Sequence, residues 1–71
     1  MQILFEPEYA IGDIVSLKIN PELKMVVDGY SIFKVNSAGE VVSWSYSTYD
    51  VDGKGFSFRD TDLELYVEFN N

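Results

Sequence analysis

Apolar and polar positions alternate with a period of two along most of the chain, and no stretch carries a sustained apolar stripe at helical spacing. Val15, Leu17 and Ile19 share one face and Ser16 and Lys18 the other, which predicts a half-buried strand from Asp13 to Ile19; Ile14 breaks the strict alternation. Asn20-Pro21-Glu22 predicts a turn or a single helical turn, because proline donates no ladder hydrogen bond. Strand-forming residues resume from Lys24 to Val27 and again from Tyr30 to Val35. Between them, Asp28-Gly29 fits either a hairpin turn or a bulge within one long bent strand. Asn36-Ser37-Ala38-Gly39 is a clear turn. From Glu40 to Tyr46, Val42, Trp44 and Tyr46 face one way and Val41, Ser43 and Ser45 the other. A polar loop is expected over Ser47 to Gly55, a short strand over Phe56 to Arg59, and a turn at Asp60-Thr61-Asp62. Leu63, Leu65, Val67 and Phe69 then alternate with Glu64, Tyr66 and Glu68 in the clearest period-two run of the chain. Met1 to Phe5 reads as an edge strand or a tail against the body, interrupted by Pro7.

About five short strands joined by tight turns predict an all-β domain spanning residues 1–71. A curled antiparallel sheet that closes on itself protects its edges. The expected core is Val15, Leu17, Met25, Val27, Val42, Trp44, Phe58, Leu63 and Leu65, with the Trp44 ring at its centre. A chain of 71 residues buries only about 60% of its unfolded surface, so this core is small. Apolar residues at 46% and aromatics at 15% nevertheless argue for a folded chain.

Charge and missing residue types narrow the chemistry. Twelve acidic residues against five basic ones give a net charge of −7. Phosphate backbones repel such a chain, so a nucleic-acid partner is not expected, whereas a basic partner surface suits it. Cysteine is absent, which excludes disulfides, thiol nucleophiles and thiolate metal sites. Histidine is absent too, removing the usual general base near neutral pH. No segment reaches the roughly 20 apolar residues of a membrane span, and Met1 to Phe5 lacks the positive region of a signal peptide. These features lead to the expectation of a cytoplasmic protein.

The segments "GDIVSLK", "KMVV", "EVVSWSY" and "FSFRDTDLEL" resemble a family of small uncharacterised bacterial proteins with an SH3-like barrel. The matching positions are Gly12, Asp13 and Val15, then Met25 and Val27, then Val41 or Val42 with Trp44, then Phe58 and Leu63. The likeness runs from about Tyr9 to Leu65. It departs from the family's shorter pattern at Tyr30 to Val35, at the loop Ser47 to Gly55, and beyond Leu65. The resemblance implies a small SH3-like barrel of about five antiparallel strands and carries no activity with it.

Candidate sites are few. The loop "DVDGKG" invites a calcium reading with Asp50 first and Asp52 third. Lys54 then falls at the fifth position, where an oxygen ligand belongs, and Thr61 replaces the chelating glutamate, so no metal or other cofactor is expected. A looser cation site would draw on Asp50, Asp52 and Asp60 or Asp62; the plainer reading is a hairpin connection at Asp52-Gly53. The carboxylate pairs Asp60/Asp62 and Glu6/Glu8 lack room for a substrate cleft in so small a domain, and no enzymatic activity is expected. Tyr30, Phe33, Tyr46, Tyr49 and Tyr66 are more rings than such a core takes. Tyr46, Tyr49 and Phe56 flank the Ser47–Gly55 loop and, with Asp50 and Asp52, form the candidate binding site for an extended or proline-rich basic peptide. Lys18 and Lys24 make one local basic spot across the first hairpin. The last strand offers an edge for homodimerisation through Leu65, Val67 and Phe69, or for pairing with Ile3 to Phe5. The expected function is a non-enzymatic module binding a protein or peptide, with a nucleic-acid-associated adaptor or a structural subunit of a homo-oligomer as alternatives.

Overall fold

The computed structural model describes residues 6–67. Strands β1 (Ile14–Leu17), β2 (Asn20–Val35), β3 (Val41–Asp50), β4 (Gly55–Arg59) and β5 (Leu63–Leu65) form one antiparallel sheet in the order β4-β3-β2-β1-β5. A single 3₁₀ turn, Asp60–Asp62, joins β4 to β5.

The 16-residue β2 dominates this arrangement. Val27 pairs with Thr48 and Gly29 with Ser47, so Asp28 is one extra residue against β3. Asp28-Gly29 is therefore a bulge within one long strand, not a turn. The hairpin closes further on, at Asn36. Its Oδ1 accepts the amides of Ala38 (2.9 Å) and Glu40 (3.0 Å), and Gly39 supplies the left-handed backbone at φ 81°. At the other end of β2, Leu17 pairs with Asn20, which puts the first turn at Lys18-Ile19 rather than at Asn20-Pro21-Glu22. Pro21 fits inside β2 because Ser16 alone faces Pro21, Glu22, Leu23 and Lys24, an irregularity that asks no ladder bond of the proline. The expected loop from Ser47 shortens as well. Ser47 to Asp50 extend β3, and Thr48 buries its hydroxyl against Met25 Sδ (3.5 Å) and the Phe56 carbonyl (3.4 Å).

The sheet is not closed into a barrel, which corrects the SH3-like barrel expected from the sequence. Among the described residues β4 pairs only with β3 and the three-residue β5 only with β1, and no ladder joins the two edges. Closure requires edge strands that hydrogen-bond along a shared length. Here β2 and β3 continue together past the point where a barrel strand would bend over, and β4 stays beside β3. The extension at Tyr30–Val35 becomes an arm, paired to β3 alone.

The core lies on one face. Val15, Met25, Val27, Trp44 and Leu63 are buried as expected, Leu17 and Phe58 pack half-buried against them, and Val42 is half-buried. Leu65, at the end of an edge strand, is 58% exposed and lies outside the core. The centre is Tyr46 rather than Trp44. Its ring is fully buried and meets Tyr9 edge-on at 5.2 Å and Tyr30 at 6.4 Å. Its hydroxyl accepts the amides of Glu8 (2.7 Å) and Tyr9 (3.3 Å), while the Tyr9 hydroxyl donates to the Leu63 carbonyl (3.1 Å). These bonds strap the segment before β1 across the core.

Tyr46→Phe keeps the ring and removes the acceptor for the Glu8 and Tyr9 amides. A loss of about 1–3 kcal/mol in urea-unfolding stability is expected. A change within about 0.5 kcal/mol, as at an ordinary surface site, contradicts this strap.

Candidate functional site

The structure separates the residues expected to bind. Tyr46 is interior and presents no surface. Tyr49 pairs with Gly55 and Val26, while Phe56 pairs with Thr48, whose side chain is buried. Directly paired residues share a face, so Tyr49 points outward and Phe56 inward. Phe56 stacks on Phe58 at 5.9 Å, with Lys54 Nζ 5.7 Å from its ring centre. Asp50 Oδ1 accepts the amides of Asp52 and Lys54, each at 2.9 Å, and Gly53 turns the chain at φ 79°. Asp50 thus closes the β3–β4 hairpin, and Asp52 is exposed at its tip. Asp60 is buried and takes a bond from Ser43 Oγ at 2.9 Å, away from this turn. Among the described residues no group of three or more carboxylates, histidines or cysteines is placed to hold a metal. Lys24 lies over the Tyr66 ring at 5.6 Å. Leu65 and Val67 are exposed, and Phe69, like Ile3 to Phe5, lies outside the described residues.

The surface that does assemble lies along the outer half of β2. On the side facing β1, the last backbone bonds of β2 belong to Val27: its amide donates to Asp13 (3.0 Å), and its carbonyl accepts from Gly12 (2.8 Å). Among the described residues no strand pairs with β2 on that side beyond Val27. The hydrogen-bond alternation shows which groups stand open. The Asp50 amide bonds across to Lys54, so alternate residues back along β3, Thr48, Tyr46 and Trp44, direct their peptide groups toward the β4 side. Their partners on β2 then direct theirs away from β3. Val27, opposite Thr48, does so, and Tyr30 and Ile32, opposite Tyr46 and Trp44, follow. The N–H and C=O groups of Tyr30 and Ile32 therefore form an edge that no described residue pairs with.

Apolar side chains line this edge. Tyr30 is half exposed, with its ring edge-on to Trp44 at 5.7 Å, and Ile32, Phe33 and Val35 are exposed to a similar degree. The Arg59 guanidinium covers part of Phe33 at 5.2 Å. Beside Tyr30, a groove of about 410 Å³ is lined by Glu6, Pro7, Tyr9, Ala10 and Ile11. Glu6, Glu8 and Asp28 are exposed, with no cationic partner among the described residues, and of the three Glu6 lines this groove. A second groove of about 460 Å³ lies between the first hairpin and the 3₁₀ turn, lined by Leu17, Lys18, Ile19, Phe58, Thr61 and Asp62. The surplus of Tyr30 and Phe33 is visible in the sequence, but the edge it furnishes is not. Its signal is Tyr30-Ser31-Ile32-Phe33-Lys34-Val35, where apolar residues fall on both faces of a strand with too little core to cover them.

Burial raises the Tyr9 hydroxyl from its ordinary pKa of 10 to about 12, with Glu8 and Tyr46 adding to the effect; burial raises Tyr46 too.

No family model, no curated protein and no solved structure matches the chain. The resemblance to small bacterial barrel proteins accordingly finds no family match, and the open sheet contradicts the fold it implied. Among the described residues no helix is long and apolar enough to cross a membrane.

Two outcomes are expected. Because the fold favours neutral Tyr9, its contribution to stability is whole below pH 10 and is lost as pH rises from 10 to about 12, where the unfolded chain ionises first. Tyr9→Phe removes this part of the fall. Urea midpoints of the two proteins across that range measure it, and parallel curves contradict it. Asp50→Ala leaves the Asp52 and Lys54 amides without their acceptor and costs about 1 kcal/mol by the same assay; an unchanged midpoint contradicts the role given to Asp50.

Proposed function

We propose that this chain is a non-enzymatic binding module that recognises a protein or peptide partner through the arm formed by the outer half of β2. The observation that carries the reading is four exposed apolar side chains, Tyr30, Ile32, Phe33 and Val35, on a strand whose edge is unpaired among the described residues. Single exposed apolar residues are ordinary on a small protein. A row of them along one strand beside a groove is a surface suited to association. The arm takes precedence over the Ser47–Gly55 loop because Tyr46 is interior, Tyr49 and Phe56 face opposite ways, and the Asp50 carboxylate is held by turn amides.

Recognition also fits the chemistry available. The chain has neither histidine nor cysteine, and its buried carboxylate Asp60 is bonded to Ser43. The net charge of −7 favours a protein partner over a nucleic acid.

A displayed library of short random peptides tests the reading. Binders to the full chain are expected, and Ile32→Asp should weaken them by about tenfold or more. Its urea midpoint should stay within about 0.5 kcal/mol of the parent, since Ile32 is exposed. A library that yields no binder contradicts the reading, and binders indifferent to Ile32→Asp contradict its placement on the arm.

A further inference from the structure

Resting on that reading, we infer that the partner segment adds to the sheet as an extra strand along the unpaired edge of β2, with a basic residue at the end beside Glu6 and apolar residues along Ile32 and Val35. Three features converge on this occupant.

The first is the edge itself. Tyr30 and Ile32 direct their peptide groups away from β3, where no described strand receives them. Two residues so spaced on a strand each offer a donor and an acceptor to an incoming strand, which is the geometry of β-augmentation. Tyr30 to Ile32 is the regular part of this edge, about 7 Å at strand rise, and beyond Ile32 the register shifts against β3.

The second is how the edge is furnished. Next to Tyr30 the groove lined by Pro7, Tyr9 and Ile11 receives a side chain from the added strand. Toward Val35 the exposed side chains are Ile32, Phe33 and Val35, with Lys34 among them and Arg59 over Phe33. The edge thus has a groove with a carboxylate at one end and apolar side chains flanked by two cations at the other.

The third is charge. Glu6 lines the groove, and Asp28 stands at the bulge one residue before Gly29; both are exposed and without a cationic partner among the described residues. A lysine or arginine seated beside the groove meets the Glu6 carboxylate, and the net charge of −7 favours a basic segment there. A second copy of this chain is a poorer occupant, because it brings a further net charge of −7.

The test uses the full chain and three synthetic peptides. One carries two basic residues followed by alternating threonine and valine. The second replaces the basic residues with glutamate. The third is the basic peptide with alternate backbone amides methylated, so that it cannot form a ladder. The basic peptide is expected to bind and to shift the amide resonances of Tyr30 and Ile32, with the other two weaker by about tenfold or more. Glu6→Lys, at an exposed position that lines the groove, should reverse the preference between the first two peptides.

Equal binding of the methylated peptide overturns strand addition, and equal binding of the glutamate peptide overturns the basic partner. A chain that sediments as a dimer and becomes monomeric with Ile32→Asp assigns the edge to a second copy and also overturns the proposal. If library binders shift Leu17 and Phe58 while leaving Tyr30 and Ile32 unmoved, the module still binds peptides and the edge inference alone fails. A library without binders removes both.

Discussion

Asp28 is one residue too many for the ladder between β2 and β3, and the way the strand absorbs it shapes the outer half of the sheet. Side chains alternate along a strand, so a bulged residue exchanges which sequence positions face inward, here as far as the next register shift at Phe33. Before the bulge, Met25 and Val27 point into the core. Beyond it, Tyr30 and Ile32 take the inner face opposite Tyr46 and Trp44. Were Asp28 paired in a regular ladder instead of bulged, that face would pass to Gly29, Ser31 and Phe33, and the Tyr30 ring would lose its contacts with Trp44 and Tyr46. The same bulge lets β2 run on instead of turning, which makes the arm and leaves its edge unpaired among the described residues.

Tyr46 ties the rest of the molecule to this ladder. It is the largest side chain buried completely, and its hydroxyl holds the Glu8 and Tyr9 amides. Tyr9 in turn reaches the Leu63 carbonyl at the start of β5. One ring pair thereby connects the middle of β3, the segment before β1 and the last strand. The segment so held contributes Glu6, Pro7, Tyr9, Ala10 and Ile11 to the groove beside Tyr30. The most buried contact of the fold and the exposed apolar surface of the arm are thus neighbours, which is how a core this small supports an arm that is only half covered.

Local periodicity reveals the strands and little of their arrangement. Trp44 and Tyr46 are legible as one face, and Leu63 as an inward position, because alternation decides such matters; at the irregular start of β3 it fails, and Val41 rather than the expected Val42 packs against the core. Pro21 misleads because a proline signals a turn unless an irregularity frees its neighbour from the ladder, and that irregularity depends on where Leu17 finds its partner. Ser47 and Thr48 read as loop because they are polar. Thr48 is nonetheless buried, its hydroxyl bonded to Met25 and Phe56 across the sheet. Barrel closure fails for the same reason on a larger scale. Whether β4 and β5 meet is a matter of long-range pairing, which no run of alternating residues encodes. At the candidate site, the composition of the Tyr46, Tyr49 and Phe56 group is plain in the sequence, but its division between interior and two faces comes from the register.

The proposed recognition rests on the edge of β2 that no described strand pairs with, and amide hydrogen exchange in the isolated chain measures that edge directly. Ser31, directed toward β3, is expected to be protected, while its neighbours Tyr30 and Ile32 exchange at rates close to those of an unfolded chain. Protection of Tyr30 and Ile32 equal to that of Ser31 would show the edge already occupied and would contradict an open strand there.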